Sequence, residues 1–229
     1  MISVCMATYN GAVYIKEQLE SILSQIGSED EIVISDDGST DATLEVVAAM
    51  NEPRIQVFAN TNHGYVHNFE NAISHAKGDY IFLSDQDDIW HPNKVKRCLE
   101  VLQEYWMLNH NSELVNQDAV SMGKDFFSLH HSSGGYWQTL WRNSYSGCCM
   151  AFRREVLDYA LPFPPRVAAH DIWLGLIAEK HGRCCFLNEK LVYYRRHEHN
   201  ASTTSEPTKF SLWKQLQYRL YMFVNSLQR

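Results

Sequence analysis

An apolar run that stops at a cluster of carboxylates, Tyr80-Ile81-Phe82-Leu83-Ser84-Asp85-Gln86-Asp87-Asp88, most constrains what this chain can fold into. Such a short β-prone run reads as a buried parallel strand. Acids placed where that strand ends lie at the carboxyl edge of the sheet, where open α/β folds bind their ligands. An Asp-x-Asp in a strand has both side chains on one face, because the side-chain period is two. Two convergent carboxylates repel unless protons or a cation neutralise them. A hard divalent ion that takes oxygen ligands and also holds a diphosphate fits that need. The alternative is a polar strand-to-helix turn, with Asp88 capping a helix that starts near Pro92.

Strand and helix signals alternate through residue 108, the pattern of a parallel sheet flanked by helices. Strands are predicted at Ile2–Ala7, Glu31–Ser35, Arg54–Ala59 and Tyr80–Leu83. Helices are predicted at Val13–Ile26, from a cap at Ser39 or Thr40 to about Met50, at Tyr65–Ala76 and from Asn93 to about Leu108. The rhythm then breaks. Asn109–Gly135 reads as polar and irregular, and Tyr136–Arg142 as a short aromatic helix. Ser146–Phe152 reads as a strand, Arg153–Ala160 and Asp171–His181 as helices, and Cys184–Tyr194 as strand-like.

The 229 residues suffice for one domain with a sizeable core. The net charge of −7 argues against a nucleic-acid scaffold, which would carry a basic footprint. No apolar run approaches the ~18 residues that would span a bilayer. The start, Met1-Ile2-Ser3-Val4-Cys5, lacks the basic region of a signal peptide. The six cysteines make no Cys-x-x-Cys spacing and read as buried residues of a reduced, cytoplasmic protein.

The ordered set of motifs resembles the family-2 inverting glycosyltransferases of the GT-A fold, which use nucleotide-sugar donors. It comprises Ala7-Thr8-Tyr9-Asn10-Gly11, Ser35-Asp36-Asp37-Gly38-Ser39-Thr40-Asp41, Asn62-x-Gly64 with Asn68, and Asp85-Gln86-Asp87-Asp88. Gly147–Phe152, His170–Leu174 and Tyr194–His197 extend it toward the bacterial branch that builds surface polysaccharides, including rhamnosyl-, galactosyl- and glucosyltransferases. The resemblance implies an α/β fold with a Rossmann-like, mostly parallel sheet flanked by helices. The chain reads as a single domain over 1–229: a nucleotide-sugar-binding half at 1–108, an acceptor and catalytic half at 109–205, and an amphipathic helix at 206–229.

The resemblance also distributes roles. Ala7 and Tyr9 would contact the donor's base and ribose, and Asp37 would accept from the N3–H of uracil or thymine. Asp87 would hold Mn²⁺ or Mg²⁺ on the diphosphate, while Asp85 contacts ribose or metal-bound water. Asp171 would be the base that takes the acceptor hydroxyl's proton, as the carboxylate base of an inverting glycosidase activates water; on sequence alone it is equally a good N-cap. His197 matches a histidine that closes over the metal in some relatives, and imidazole suits Mn²⁺ better than Mg²⁺. Arg195 or Arg196 would neutralise the diphosphate. Trp173 either faces a sugar ring or points into the core.

The expected reaction moves a hexose or deoxyhexose from a UDP- or dTDP-sugar to a glycan, in particular a lipid-linked one. The first turn lacks the Gly-x-Gly-x-x-Gly of a dinucleotide site. It also lacks the glycine-rich basic loop of a sugar-phosphate nucleotidyltransferase, the nearest rival enzyme. A non-catalytic nucleotide-sugar or glycan binder would have no need of Asp37, Asp87 and Asp171 together. In the tail, Thr208–Arg229 holds no acidic residue. Trp213, Leu216, Leu220, Phe223 and Leu227 form one helical apolar stripe beside Lys209, Lys214, Arg219 and Arg229. That stripe has three readings: packing on the core, self-association, or lying on a membrane face.

Overall fold

The computed structural model describes residues 1–197 and 211–229. Thr208 and Lys209, at the start of the tail stretch, lie outside the described residues. The first half runs β1 (Ile2–Thr8), α1 (Ile15–Leu23), β2 (Glu31–Asp36), α2 (Thr43–Ala49), β3 (Ile55–Ala59), α3 (Tyr65–His75) and β4 (Tyr80–Asp85). It continues with β5 (Ile89–Trp90), α4 (Lys94–Leu102), β6 (Met107–Val115), β7 (Ser121–Asp125), α5 (Phe126–His130) and α6 (Tyr136–Trp141). A 3₁₀ turn at Gly147–Cys149 precedes β8 (Met150–Arg153), α7 (Glu155–Ala160), α8 (His170–His181), β9 (Cys184–Arg195) and α9 (Leu212–Leu227).

Among the described residues nine strands form one sheet, ordered β3-β2-β1-β4-β8-β6-β9-β5 with β7 on the side of β6. β3, β2, β1 and β4 pair in parallel, whereas β8 is antiparallel to both β4 and β6. The parallel part brings three strand ends together: Ala7 lies opposite Ser35 and Asp85, and Thr8 opposite Asp36. That carboxyl edge is where the sequence places its acids.

Side-chain alternation splits the core into one layer per sheet face. Val4, Met6, Ile32, Ile34 and Phe82 pack with Ile15, Leu19 and Ile22 of α1 and with Val95, Cys98 and Leu102 of α4. Cys5, Val33, Ile81 and Leu83 point the other way, onto Phe69 and Ile73 of α3 and Trp173, Leu174 and Ile177 of α8.

The structure corrects the expected elements in several places. α4 ends at Leu102, and Met107–Val115 is not helix end and irregular chain but a strand in the sheet. The segment hides this because Asn109, His110, Asn111 and Ser112 are polar yet buried. Some of their polar atoms find partners elsewhere in the chain: Asn109 Oδ1 accepts from Ser146 N at 3.2 Å, and Asn111 donates to Asp125 and Asn188 at 2.9 and 2.8 Å. The expected irregular stretch also contains β7 and α5. The expected strand from Ser146 starts at Met150, after the 3₁₀ turn.

α9 meets the core with Tyr218, Tyr221 and Met222, and its Ser226 hydroxyl shares a hydrogen bond of 2.5 Å with Tyr136. The stripe read from sequence lies on another face. Trp213 is 70% exposed and Leu220 62%, and Leu216 and Leu227 are exposed as well. Phe223 is half-buried against Trp137, with ring centroids 5.7 Å apart.

Candidate active site

The loops after β1 and β2 are built as a pair. Asp36 is buried; its Oδ1 accepts from the hydroxyls of Thr8 at 2.8 Å and Ser39 at 2.6 Å, and its Oδ2 from the amide of Ser39 at 2.8 Å. Gly38, at φ 84°, supplies the left-handed turn this requires. Ser39 and Thr40 do not cap α2, which begins at Thr43. Instead they tie the two loops: Asn10 N donates to Ser39 Oγ at 2.9 Å, and Thr40 N to Asn10 Oδ1 at 2.8 Å. Asp37 holds the loop before α3, accepting from Asn60 Nδ2 and Gly64 N at 2.8 Å each. His63 Nδ1 is 3.1 Å from the same carboxylate.

Ala7 is half-buried at the end of β1, and Tyr9 is 56% exposed beside it. Gln86, the middle residue of the acidic motif, clips the Tyr9 peptide on both sides. Its Oε1 accepts from Tyr9 N at 3.0 Å and its Nε2 donates to Tyr9 O at 2.9 Å. A Cβ on Gly11 would collide with that carboxamide, so a larger residue there would displace the Gln86 clip.

β4 stops at Asp85, and the two-residue alternation stops with it. Strand alternation therefore does not set the direction of Asp87, although its charge still raises the Asp85 carboxyl. The Asp85 carboxylate lies with those donors of Asp88 and Cys148 that all fall within 4.8 Å of one another. Asp87 turns to the other end of the chain, its Oδ2 2.8 Å from His197 Nε2. The His197 ring stacks on Tyr14, centroids 4.9 Å apart. Asp88 does not cap α4, whose N-cap position is Asn93 and which β5 separates from the turn. It is buried, and its Oδ1 accepts from Arg195 N at 3.0 Å.

Arg195 is directed at the protein. Its guanidinium donates to the carbonyls of Asp87 at 2.9 Å and Gln117 at 2.5 Å, pairs with Glu17 at 2.6 Å, and lies 4.8 Å from the Tyr14 ring centre. It clamps the acidic turn to α1, a use that the sequence-based assignment to a diphosphate did not foresee. Arg196 is half-buried, with its guanidinium 6.0 Å from the Tyr194 ring centre.

Burial, then the neighbouring Asp87, Cys149 and Asp171, push the Asp85 carboxyl up to about 7, opposed by Lys94. Asp88 is driven well above the ordinary range by burial and by Asp87 and Asp85. The turn thus concentrates more negative charge than its surroundings compensate.

Asp171 is the second residue of α8, whose N-cap position is Ala169, so capping does not account for it. Its Oδ2 accepts from Asn143 Nδ2 at 3.2 Å and its Oδ1 from Ile172 N at 2.7 Å. Burial pushes its carboxyl up to about 6 against both hydrogen bonds. Its charge adds to those that raise the Asp85 carboxyl. The neighbouring His170 is stacked on Phe69 at 3.9 Å and is held neutral by burial, its pKa near 3. Trp173 is in the core, fully buried with Nε1 donating to Ala160 O at 2.9 Å, so no sugar reaches it.

The structure therefore brings together Asp87 with His197 and Tyr9 with the acidic turn, and puts Asp171 within electrostatic reach of Asp85. Sequence reading missed Tyr14, Glu17, Gln86 and Asn143. Gln86 had a signal in its place between the two acids; Asn143 had none.

The glycosyl transferase family 2 model matches residues 3–160, more than half of the sequence. The chain belongs to glycosyltransferase family 2. The transferase is 32% identical over 228 residues to an uncharacterized glycosyltransferase of Nostoc sp., covering 90% of this chain and 69% of that one. It is 28% identical over 214 residues to the dTDP-rhamnosyl transferase RfbG of Shigella flexneri, covering 85% and 72%. Its fold matches that of S. aureus TarS residues 1–349 in complex with UDP-GlcNAc, with a TM-score of 0.75 and 22% identity over 98% of this chain. The transferase spans 66% of that TarS chain. The expected GT-A architecture is thereby met, and the enzyme is a glycosyltransferase that takes a nucleotide-sugar donor.

Proposed function

We propose that this enzyme is a metal-dependent, inverting hexosyl- or deoxyhexosyltransferase that uses a UDP- or dTDP-sugar and extends a lipid-linked glycan during surface-polysaccharide synthesis. The observation that carries the reading is the Asp87–His197 pair at the strand edge, with a second, half-buried acid in electrostatic reach of the acidic turn. The pair meets at 2.8 Å. The second acid is Asp171, a carboxyl near 6 whose charge reaches Asp85.

The residues present suit a divalent cation. Asp87 and His197 offer oxygen and imidazole nitrogen side by side, a donor set acceptable to Mn²⁺. Bound there, such an ion would stabilise the charge that develops on a departing nucleoside diphosphate. Asp37 and the Ala7–Tyr9 strand end take the base and ribose, Asp85 the ribose side of the donor, and Arg196 the diphosphate. Arg195 holds the Asp87 carbonyl and the Asp88 carboxylate in place through its own backbone and side chain.

Asp171 takes the proton of the acceptor hydroxyl as that oxygen attacks the anomeric carbon opposite the leaving group. The hydrogen bond from Asn143 orients the carboxylate for this. A carboxyl near 6 is half ionised at that pH and mostly ionised at 7, so it is both available and more basic than an exposed aspartate.

The exposed stripe of α9 supports peripheral contact with an anionic membrane on the cytoplasmic face. Trp213, Leu216, Leu220 and Leu227 lie outward with the exposed Trp137 and Trp141 of α6. Lys214, Arg219 and Arg229 flank them on a stretch without acidic residues, in a chain of net charge −7. Basic residues beside interfacial tryptophans and leucines match an anionic lipid surface. Among the described residues no helix is long and apolar enough to cross a membrane. Flotation with anionic vesicles, lost in a Trp213→Glu, Leu220→Glu variant, tests this; self-association of the unmodified chain without vesicle binding would favour a dimer instead.

The reading as a whole is tested by incubating the protein with UDP- and dTDP-sugars, with and without Mn²⁺. Metal-dependent release of the nucleoside diphosphate together with thermal stabilisation is expected. Release of a sugar phosphate would favour the nucleotidyltransferase alternative, and stabilisation without release a binding protein.

A further inference from the structure

Beneath the acidic turn lies a donor set in which two members, Asp88 and Cys148, have no part in the transfer reaction. Cys148 sits in the 3₁₀ turn Gly147–Cys149 that leads into β8, the neighbour of β4 in the sheet. One ligand atom each from Asp85, Asp88 and Cys148 lie within 4.8 Å of one another. Asp88 and Cys148 are each only 1% exposed. Asp88 Oδ1 is taken by Arg195 N, whereas its Oδ2 is buried with no partner other than the neighbouring Cys148 thiol. The buried Lys94 ammonium nearby is held otherwise: it donates to the Cys148 carbonyl at 2.8 Å and stands 4.1 Å over the Trp90 ring. Among the described residues it forms no ion pair with either carboxylate.

A buried carboxylate oxygen with only a weak thiol donor beside it costs free energy unless something else binds it. Two carboxylates and one thiol, meeting in a space the size of a coordination sphere, are the ligands of a borderline-soft dication. We infer that Asp85, Asp88 and Cys148 form a site for a thiophilic divalent cation of the Zn²⁺ or Cd²⁺ class, separate from the Asp87–His197 pair. Mg²⁺ and Mn²⁺ favour oxygen and nitrogen donors, and the sulfur disfavours them here. Asp85 is only half-buried, so the cation enters from the cleft and keeps that side for water as its fourth ligand. On binding, the Cys148 S–H bond breaks, its electron pair goes to the metal and its proton to solvent. Since Asp85 also faces the donor, a cation held here would oppose donor binding. That consequence rests on the proposed function, but the binding itself does not.

The test is a Cd²⁺ titration of the full chain in saturating Mg²⁺, followed by thiolate-to-cadmium charge-transfer absorbance in the ultraviolet. One equivalent is expected to bind, with the band lost in Cys148→Ser and the affinity reduced at least ~10-fold in Asp88→Asn. Cys185→Ser, which removes a partly exposed thiol on β9, is expected to bind as the unmodified chain does. Thermal unfolding of each variant reports folding, and should Cys148→Ser fail to fold, Asp88→Asn decides alone. An absent band in the unmodified chain, a band surviving Cys148→Ser, an unchanged affinity in Asp88→Asn, or a band removed by Cys185→Ser would each overturn the site.

Discussion

The Asp87 carboxylate and the His197 imidazole meet at 2.8 Å across a sequence separation of 110 residues. β9 makes this meeting. It runs parallel to β6, passes Arg195 over the acidic turn and delivers His197 onto the Tyr14 ring. Replacing His197 by Ala is expected to weaken Mn²⁺ at least ~10-fold while leaving nucleoside binding measurable. Titration of the metal by electron paramagnetic resonance reads this directly, and an unchanged affinity would remove His197 from the metal.

Gln86 joins the two loops that face the donor. Two hydrogen bonds at ~0.5–1.5 kcal/mol each link it to the Tyr9 peptide. Gln86→Ala is therefore expected to raise the donor KM by roughly 5- to 100-fold, with kcat changed far less. If KM holds and the melting temperature falls, the clip serves folding alone.

Acidity gives a separate handle on Asp171. Burial raises its carboxyl to about 6, so the protonated form is favoured in the folded protein. As a base it must be ionised, and kcat/KM is expected to climb from pH 5 to 7 with a midpoint near 6. Stability runs the other way. The contribution from the raised pKa is fully present below the unfolded value near 3.8 and is lost as pH rises through 6. Asp171→Asn should thus melt no lower than the parent at pH 8, and a clear drop in melting temperature there would assign Asp171 to structure.

Trp173 belongs to stability. Fully buried, with its indole N–H bonded to Ala160 O, it should cost about 3–5 kcal/mol when truncated to Ala. Chemical denaturation of Trp173→Ala checks the value, and a loss below ~1 kcal/mol would show that the site refills.

What was legible in the sequence was what periodicity carries. β2 and β4 are apolar runs ending in punctuating acids, β1 is one ending in a Tyr-Asn-Gly turn, and α1 and α3 have one apolar face each, so the parallel half and its carboxyl edge could be read directly. β6 could not. Its buried Asn109, His110, Asn111 and Ser112 look like loop to any hydropathy pattern, because their partners on β7, β9 and the Ser146 turn lie far off in sequence. Alternation also gives no guide at Asp87, since β4 ends at Asp85, two residues before it. The clamp made by Arg195 was hidden for a similar reason: nothing local indicates that Glu17, 178 residues away, meets its guanidinium.

The central claim, that Asp171 is the base of an inverting transfer in a cleft organised by Asp87 and His197, is tested most directly by single-turnover transfer with Asp171→Asn. The account predicts donor and Mn²⁺ affinities within about twofold of the parent, and transfer slowed by roughly 10²–10⁴-fold. The residual product should carry the anomeric configuration opposite to the donor. Turnover at the parental rate, or a product that retains the donor configuration, would contradict it.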